Sequence, residues 1–294
     1  MKLRTMLLIG AAGATSIGAT GAAAAQTDLA QACPSTVRMA DTGIEGMGPL
    51  EEAFGPFREE FEKHTGLELE LYSLSNRTAA GNALQYDDVE LVFAGPSEFV
   101  LFDRESDIEV LFDIQRPHYG SSFFVPEDSD IESLADLEGK HVALKDVGST
   151  SGHIIPSQML VDAGLDMDRD MQITMAGDAR IAALVNGDVA AMGGGNRDIE
   201  EIRAMDPDGE YRVIAESDEL PGDPVVIRGN LPENCKAGLR ETLEANRDEL
   251  WESLVSTDRG EDKFLNRDSH MGFELTAEDY QVIEDAYEAA GISL

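Results

Sequence analysis

Three consecutive hydroxyl residues, Ser149, Thr150 and Ser151, stand between Gly148 and Gly152, after the apolar run His141 to Lys145 and before the helix-like segment Ser157 to Val161. A strand that ends in a glycine and hydroxyl turn and then opens a helix gathers O–H groups and free backbone N–H groups at one point. That point is also the positive end of the helix dipole. The chemistry on offer is the holding of an anion. Any single Ser or Thr here has an ordinary alternative as a helix cap, but three hydroxyls flanked by two glycines exceed what capping uses. Catalysis fits worse. The order Gly148-Ser149-Thr150-Ser151-Gly152 puts Thr where a hydrolase elbow needs its nucleophile, and no Gly-Lys-Ser or Gly-Lys-Thr follows to make a P-loop. His64, His118, His141, His153 and His270 lack paired or HExxH spacing, and Cys33 and Cys235 form no CxxC, so no metal and no cofactor are expected. The reading is a binder, not an enzyme.

The charge balance narrows the ligand and partner classes. The 294 residues carry 22 Lys plus Arg against 58 Asp plus Glu, a formal net charge of −36. Nucleic acid is therefore not an expected partner. Lysine is scarce, and an acidic, lysine-poor surface suits a salt-rich environment, where at about 1 M salt the Debye length is about 3 Å. The 42% hydrophobic content argues for a folded core over disorder. Lys2 and Arg4 lead into an apolar, small-residue stretch that ends in Ala22-Ala23-Ala24-Ala25, the layout of a secretory signal cleaved near Ala25. In an exported chain Cys33 and Cys235 are either a disulfide or two free thiols.

The elements that position the seat alternate. Strand Val37–Ala40, helix Leu50–His64, strand Leu67–Tyr72, helix Arg77–Leu84 and strand Val89–Phe93 make one βαβαβ set. A second set follows around His141–Lys145, Gln172–Met175 and Val189–Met192. Between them Tyr119–Val125 is strand-like, and Pro126-Glu127-Asp128-Ser129 marks an exit from the first lobe. Pro221-Gly222-Asp223-Pro224 marks a return to strand Val225–Arg228, and helices over Cys235–Leu254 and Ala277–Ala290 complete the chain. The expected fold class is α/β with two lobes, each a βαβ sheet flanked by helices, joined by two hinge crossings. The leader is 1–25, lobe 1 is 26–127 with 223–294, and lobe 2 is 128–222. Ligands of open α/β sheets sit at the carboxyl ends of strands, so a ligand held between the lobes would close the hinge.

The residues from Ser133 to Lys140, Val142 to Asp146, Ser149 to Gly152 and Pro156, with Ala182 to Val189 and Gly95-Pro96, resemble the phosphonate-binding periplasmic component of ABC importers. The resemblance runs from about residue 36 to 254, and its most specific element is the Ser-Thr-Ser-Gly motif. It implies the type II periplasmic-binding-protein fold and capture of a phosphorus oxyanion (phosphonate, phosphite or phosphate). It also implies delivery to an ABC permease and ATPase, and a monomer in the periplasm. Other readings are a binder of a sulfonate or carboxylate, and a ligand sensor for a histidine kinase.

Carried onto these positions, the resemblance implies that Ser149, Thr150, Ser151 and Gly152 hold phosphoryl oxygens. Hydroxyls donate to an oxyanion without burying another ion. Tyr119 is read as a phenol donor or as an interface core residue. Arg77 is read as a bidentate oxyanion partner or as a surface helix residue. Ser97, with Gly95, offers first-lobe contacts, and Thr42 and Glu45 border the cleft after the first strand. Asp178 stands where relatives carry His. It caps its helix, or it selects a protonated oxyanion or an amino group. Asn196, Arg197 and Asp198, after three glycines, do similar work or form a plain loop.

Overall fold

A computed structural model describes residues 29–43, 46–74, 78–264 and 269–293. The leader and Arg77 and Glu45 lie outside the described residues. The strands form two sheets. The first is built from β1 (Thr36–Asp41), β2 (Glu68–Leu71), β3 (Leu91–Phe93), β4 (Ile108–Gln115), β10 (Asp223–Arg228) and β11 (His270–Gly272), in the order β11-β4-β10-β3-β1-β2. The second holds β5 (Ser121–Pro126), β6 (His141–Leu144), β7 (Gln172–Met175), β8 (Ala191–Gly195) and β9 (Tyr211–Glu216), in the order β7-β6-β8-β5-β9. In each, three parallel strands are extended by antiparallel ones: β1 is parallel to β2 and β3, β6 to β7 and β8, while β10 and β5 run the other way. The carboxyl ends of β1, β3 and β6 therefore face the same cleft from two sides.

Helix α1 (Met47–Thr65) covers the first sheet because Phe54, Phe57 and Phe61 recur at helical spacing and are all buried. It stops at Gly66, whose left-handed φ of 71° lets its N–H reach Glu62 O. Helices α2 (Thr78–Gln85) and α3 (Pro96–Glu105) flank β3. The second sheet carries α4 (Ile155–Asp162), α5 (Ala179–Val185) and α6 (Asp198–Met205). After the return crossing come α7 (Glu233–Ala245), α8 (Arg247–Leu254), α9 (Asp258–Lys263) and α10 (Gln281–Ala289). The last of these binds the halves together. Ile154 and Ile155 from the second half share one apolar cluster with Val92, Phe99, Tyr280 and Ile283 of the first.

Three expectations change. Strand β5 pairs with β8 and β9, so Tyr119–Val125 does not belong with the first sheet and the first crossing precedes Ser121. Strands β4 and β11 add to the first sheet. The single helix expected over Cys235–Leu254 is broken at Asn246, whose side-chain amide donates to Thr242 O at 2.7 Å and competes with the helix ladder. The short helix of the Ser133 to Lys140 segment is a 3-10 turn, Leu134–Leu137, closed by a capping box between Ser133 and Asp136.

Cys33 and Cys235 form a disulfide across 202 positions. It ties the N-terminal segment, with buried Leu29, to the start of α7. Replacing both cysteines by serine is expected to lower stability by about 2–4 kcal/mol, read as a shift in the denaturant midpoint. An unchanged midpoint would show that apolar packing alone anchors the segment.

Candidate functional site

The seat forms at the carboxyl end of β6. Thr150–Ile154 is a single π turn that runs directly into α4, the kind of helical irregularity that recurs at binding sites. Its first-turn N–H groups, those of Thr150, Ser151 and Gly152, have no carbonyl partner among the described residues. Gly152 is obligatory for close approach: its carbonyl accepts from Lys145 N at 2.9 Å, and a Cβ there would stand 2.4 Å from Lys145 Cβ. The Ser149 and Ser151 side chains are half-buried and line a cavity of about 530 Å³ between the sheets.

Thr150 has a different task from the one expected. Its Oγ1 accepts from Ser97 N at 3.0 Å and donates to Ser97 Oγ at 2.9 Å, and Ser97 Oγ donates to Gly148 O at 2.5 Å. Both residues are buried. The Thr150 hydroxyl is thus spent on a latch between the halves, and the polar group that Thr150 can still offer a ligand is its backbone N–H. Ser97 is a latch residue too, absent from the cavity wall that Gly95 and Pro96 form.

The cavity gathers four basic side chains, Arg116, Lys145, Arg259 and Lys263. Arg116 pairs with Asp223 at 3.3 Å and lies 3.4 Å over the Tyr119 ring. Burial works against its charge, but Asp223 and Tyr119 together outweigh that and hold its pKa above the ordinary value. Since Arg116 follows β4 and Asp223 begins β10, this ion pair ties the two crossings to each other. Lys145 follows β6, and its ammonium lies 3.5 Å from Asp178. At the opposite end Lys263 pairs with Asp41 at 2.8 Å, and Asp41 Oδ1 accepts from Gly43 N at 2.8 Å. Thr42 is buried there and lines the cavity.

Of the residues expected from sequence, Ser149, Thr150, Ser151, Tyr119 and Thr42 meet in this cavity. Gly152 and Ser97 support it from behind. Asp178 does not reach it: its side chain is exposed, and it stands at the start of α5 without a capping hydrogen bond. Lys145, then Arg180, hold its carboxyl below the usual range, and its one contact with a residue of the cavity wall is the pair with Lys145. Arg116, Lys145, Arg259 and Lys263 were missed. Lys145 had a signal, a scarce lysine placed immediately before the hydroxyl turn, whereas Lys263 comes from a region distant in sequence. Away from the cleft, Glu60, His64 and Glu249 converge, and Lys63 Nζ lies 2.7 Å from both carboxylates, supplying a cation itself.

His153, inside the π turn, is buried, and its Nδ1 accepts from Gly148 N at 3.1 Å. Burial pushes its pKa below the ordinary 6.5. The native state keeps it neutral while the unfolded chain protonates near 6.5, so its contribution is full above that pH and is lost as pH falls below it. Thermal melts between pH 8 and pH 5 are expected to show a stability loss on acidification that His153→Gln reduces. An identical pH profile in the variant would remove His153 from the account. Gly152→Ala is expected to push the turn off β6 and weaken anion binding. Wild-type affinity in that variant would show that the close approach is dispensable.

Residues 48–280 match the family described as the phosphonate periplasmic substrate-binding protein of ABC transporters. The chain is 28% identical over 182 residues to the phosphate-import protein PhnD of Mycolicibacterium smegmatis, covering 56% of this chain and 57% of that protein. It is 26% identical over 204 residues to the phosphonates-binding periplasmic protein of Escherichia coli, covering 65% and 60%. The match thus spans about three-fifths of each curated relative's length. In fold it is similar to PhnD1 from Prochlorococcus marinus in complex with methylphosphonate, with a TM-score of 0.67, 18% identity, and coverage of 89% of this chain and all of that one.

Proposed function

The chain belongs to the family of phosphonate periplasmic substrate-binding proteins of ABC transporters, and on that premise we propose that it captures a phosphorus oxyanion between two hinged lobes and presents it to a membrane permease and ATPase. The lobes in this reading are the two sheets with their helices, and the crossings are residues 116–120 and 217–222. The leader expected over residues 1–25 would export the protein, and its acidic surface would suit a salt-rich environment.

One observation carries the reading. The first-turn N–H groups of Thr150 and Ser151, without a carbonyl partner among the described residues, and the hydroxyls of Ser149 and Ser151 share one cavity with Arg116 and Lys145, in a chain whose overall charge repels anions. The fixed donors satisfy oxygens by geometry, and the two cations offset the charge. Hydrogen bonds to charged groups are worth about 1.5–3 kcal/mol each, so a few of them outweigh a long-range repulsion that salt screens.

Calorimetric titration with methylphosphonate, phosphite, phosphate and sulfate, at low and high salt, is expected to give binding with a phosphorus oxyanion and weaker binding with sulfate. Lys145→Gln is expected to weaken the favoured ligand about tenfold or more, the equivalent of one charge-assisted hydrogen bond. No heat with any phosphorus oxyanion would overturn the reading.

A further inference from the structure

The cavity between the sheets is larger than an oxyanion needs. Its volume of about 530 Å³ falls in the range of sites that enclose a whole small organic molecule, and the hydroxyl turn with Lys145 supplies only one wall. The opposite wall comes from the first half: Asp41, Thr42 and Gly43 at the end of β1, with Lys263 and Phe264 at the end of α9. Its charges are already matched. Lys263 reaches both oxygens of Asp41, at 3.0 Å and 2.8 Å, and Arg259 pairs with Glu52 at 3.2 Å. Of the other carboxylates in the cavity, Asp223 pairs with Arg116, and buried Glu98 accepts from Ser97 Oγ at 3.2 Å. Asp258 is exposed in the first turn of α9, where it complements the helix dipole.

One polar group on this wall is left over. Thr42 is 8% exposed, and its N–H donates to Phe93 O at 3.0 Å, but its hydroxyl makes no hydrogen bond among the described residues. A buried hydroxyl without a partner is costly, and this one borders the cavity. Gly43 keeps the corner beside it open. A Cβ there would stand 3.1 Å from Lys263 Nζ and 3.4 Å from Asp41 Oδ1, and its backbone lies outside the left-handed region, so the glycine serves space and not conformation. Lys263 spends at most two of its three N–H groups on Asp41, which leaves one directed elsewhere.

We propose that this corner reads a hydroxyl on the organic part of the ligand, so that the preferred ligand is a hydroxylated phosphonate or phosphate monoester, with its phosphoryl oxygens in the seat and a hydroxyl between Thr42 and Lys263. This rests on the phosphorus-oxyanion reading of the seat. A hydroxyl both donates and accepts, which matches the Thr42 hydroxyl and the remaining Lys263 proton together. It is also uncharged, so it leaves the Asp41 and Lys263 pair in place. An ammonium would have to compete with Lys263 for Asp41, and a second anion would have to draw Lys263 away and leave a buried carboxylate uncompensated.

Calorimetric titration tests it with two pairs of ligands matched in chain length: 2,3-dihydroxypropylphosphonate against propylphosphonate, and glycerol 3-phosphate against propyl phosphate. The expected result is the hydroxylated member bound about tenfold more tightly in at least one pair, the pair with the larger gain naming the phosphonate or the ester as the source. In the same titrations 3-aminopropylphosphonate is expected to show no gain over propylphosphonate. Thr42→Val, which keeps the shape and removes the hydroxyl, is expected to bring the ratio within the pair toward one. Gly43→Ala, which fills the corner and leaves the Thr42 hydroxyl in place, is expected to do the same. Ratios near one in both wild-type pairs, a ratio unmoved by both variants, or an equal gain from 3-aminopropylphosphonate overturns the inference, while binding of propylphosphonate itself leaves the reading of the seat intact. Heat from none of these ligands overturns both.

Discussion

The first turn of the helical segment at Thr150 presents N–H donors that no carbonyl of the described chain accepts, and the surrounding structure is organised around that deficit. The turn is a π turn leading into α4, and as at any helix start its first N–H groups stay outside the intrahelical ladder. Gly152 lets β6 come close enough to place Lys145 beside them. His153 pins the preceding loop through Gly148. An anion placed here meets fixed dipoles first and mobile charges second, which is how a strongly acidic protein can hold one.

The same turn couples the halves. Thr150 and Ser97 exchange hydrogen bonds across the cleft, Ile154 and Ile155 enter the apolar cluster under α3 and α10, and Arg116 joins the crossings through Asp223. Any hinge motion must therefore break or rotate a small polar latch built on Thr150, whose backbone N–H is one of the proposed ligand donors. Seat and latch occupy neighbouring atoms of one residue, the backbone N–H and the side-chain hydroxyl of Thr150, so occupancy of the first bears on the geometry of the second.

How much of this was legible depended on whether the information was local. The hydroxyl turn, its strand and its helix are contiguous, and their chemistry could be read without knowing the fold. The alternation of strands and helices likewise implied two α/β lobes. Sheet membership was not local: Phe123, Phe124 and Val125 are buried apolar residues that would suit either sheet, and only pairing with β8 and β9 decides. The role of the Thr150 hydroxyl was hidden for a related reason. A sequence shows that a donor exists but not that Ser97, 53 positions away, will take it. Arg116, Lys145 and Lys263 join one cavity from three distant segments, and Asp178 is drawn away from it by Lys145 and Arg180, contacts that no spacing rule encodes.

The central claim is that the phosphoryl oxygens sit on the donors of this turn. A crystal structure of the protein with methylphosphonate tests it most directly. The account predicts phosphoryl oxygens within about 2.7–3.1 Å of the N–H groups of Thr150 and Ser151 and of the Ser149 and Ser151 hydroxyls, with Lys145 or Arg116 completing the shell. A ligand lodged at the Asp41 and Lys263 end of the cavity, with the turn's N–H groups facing solvent, would contradict it.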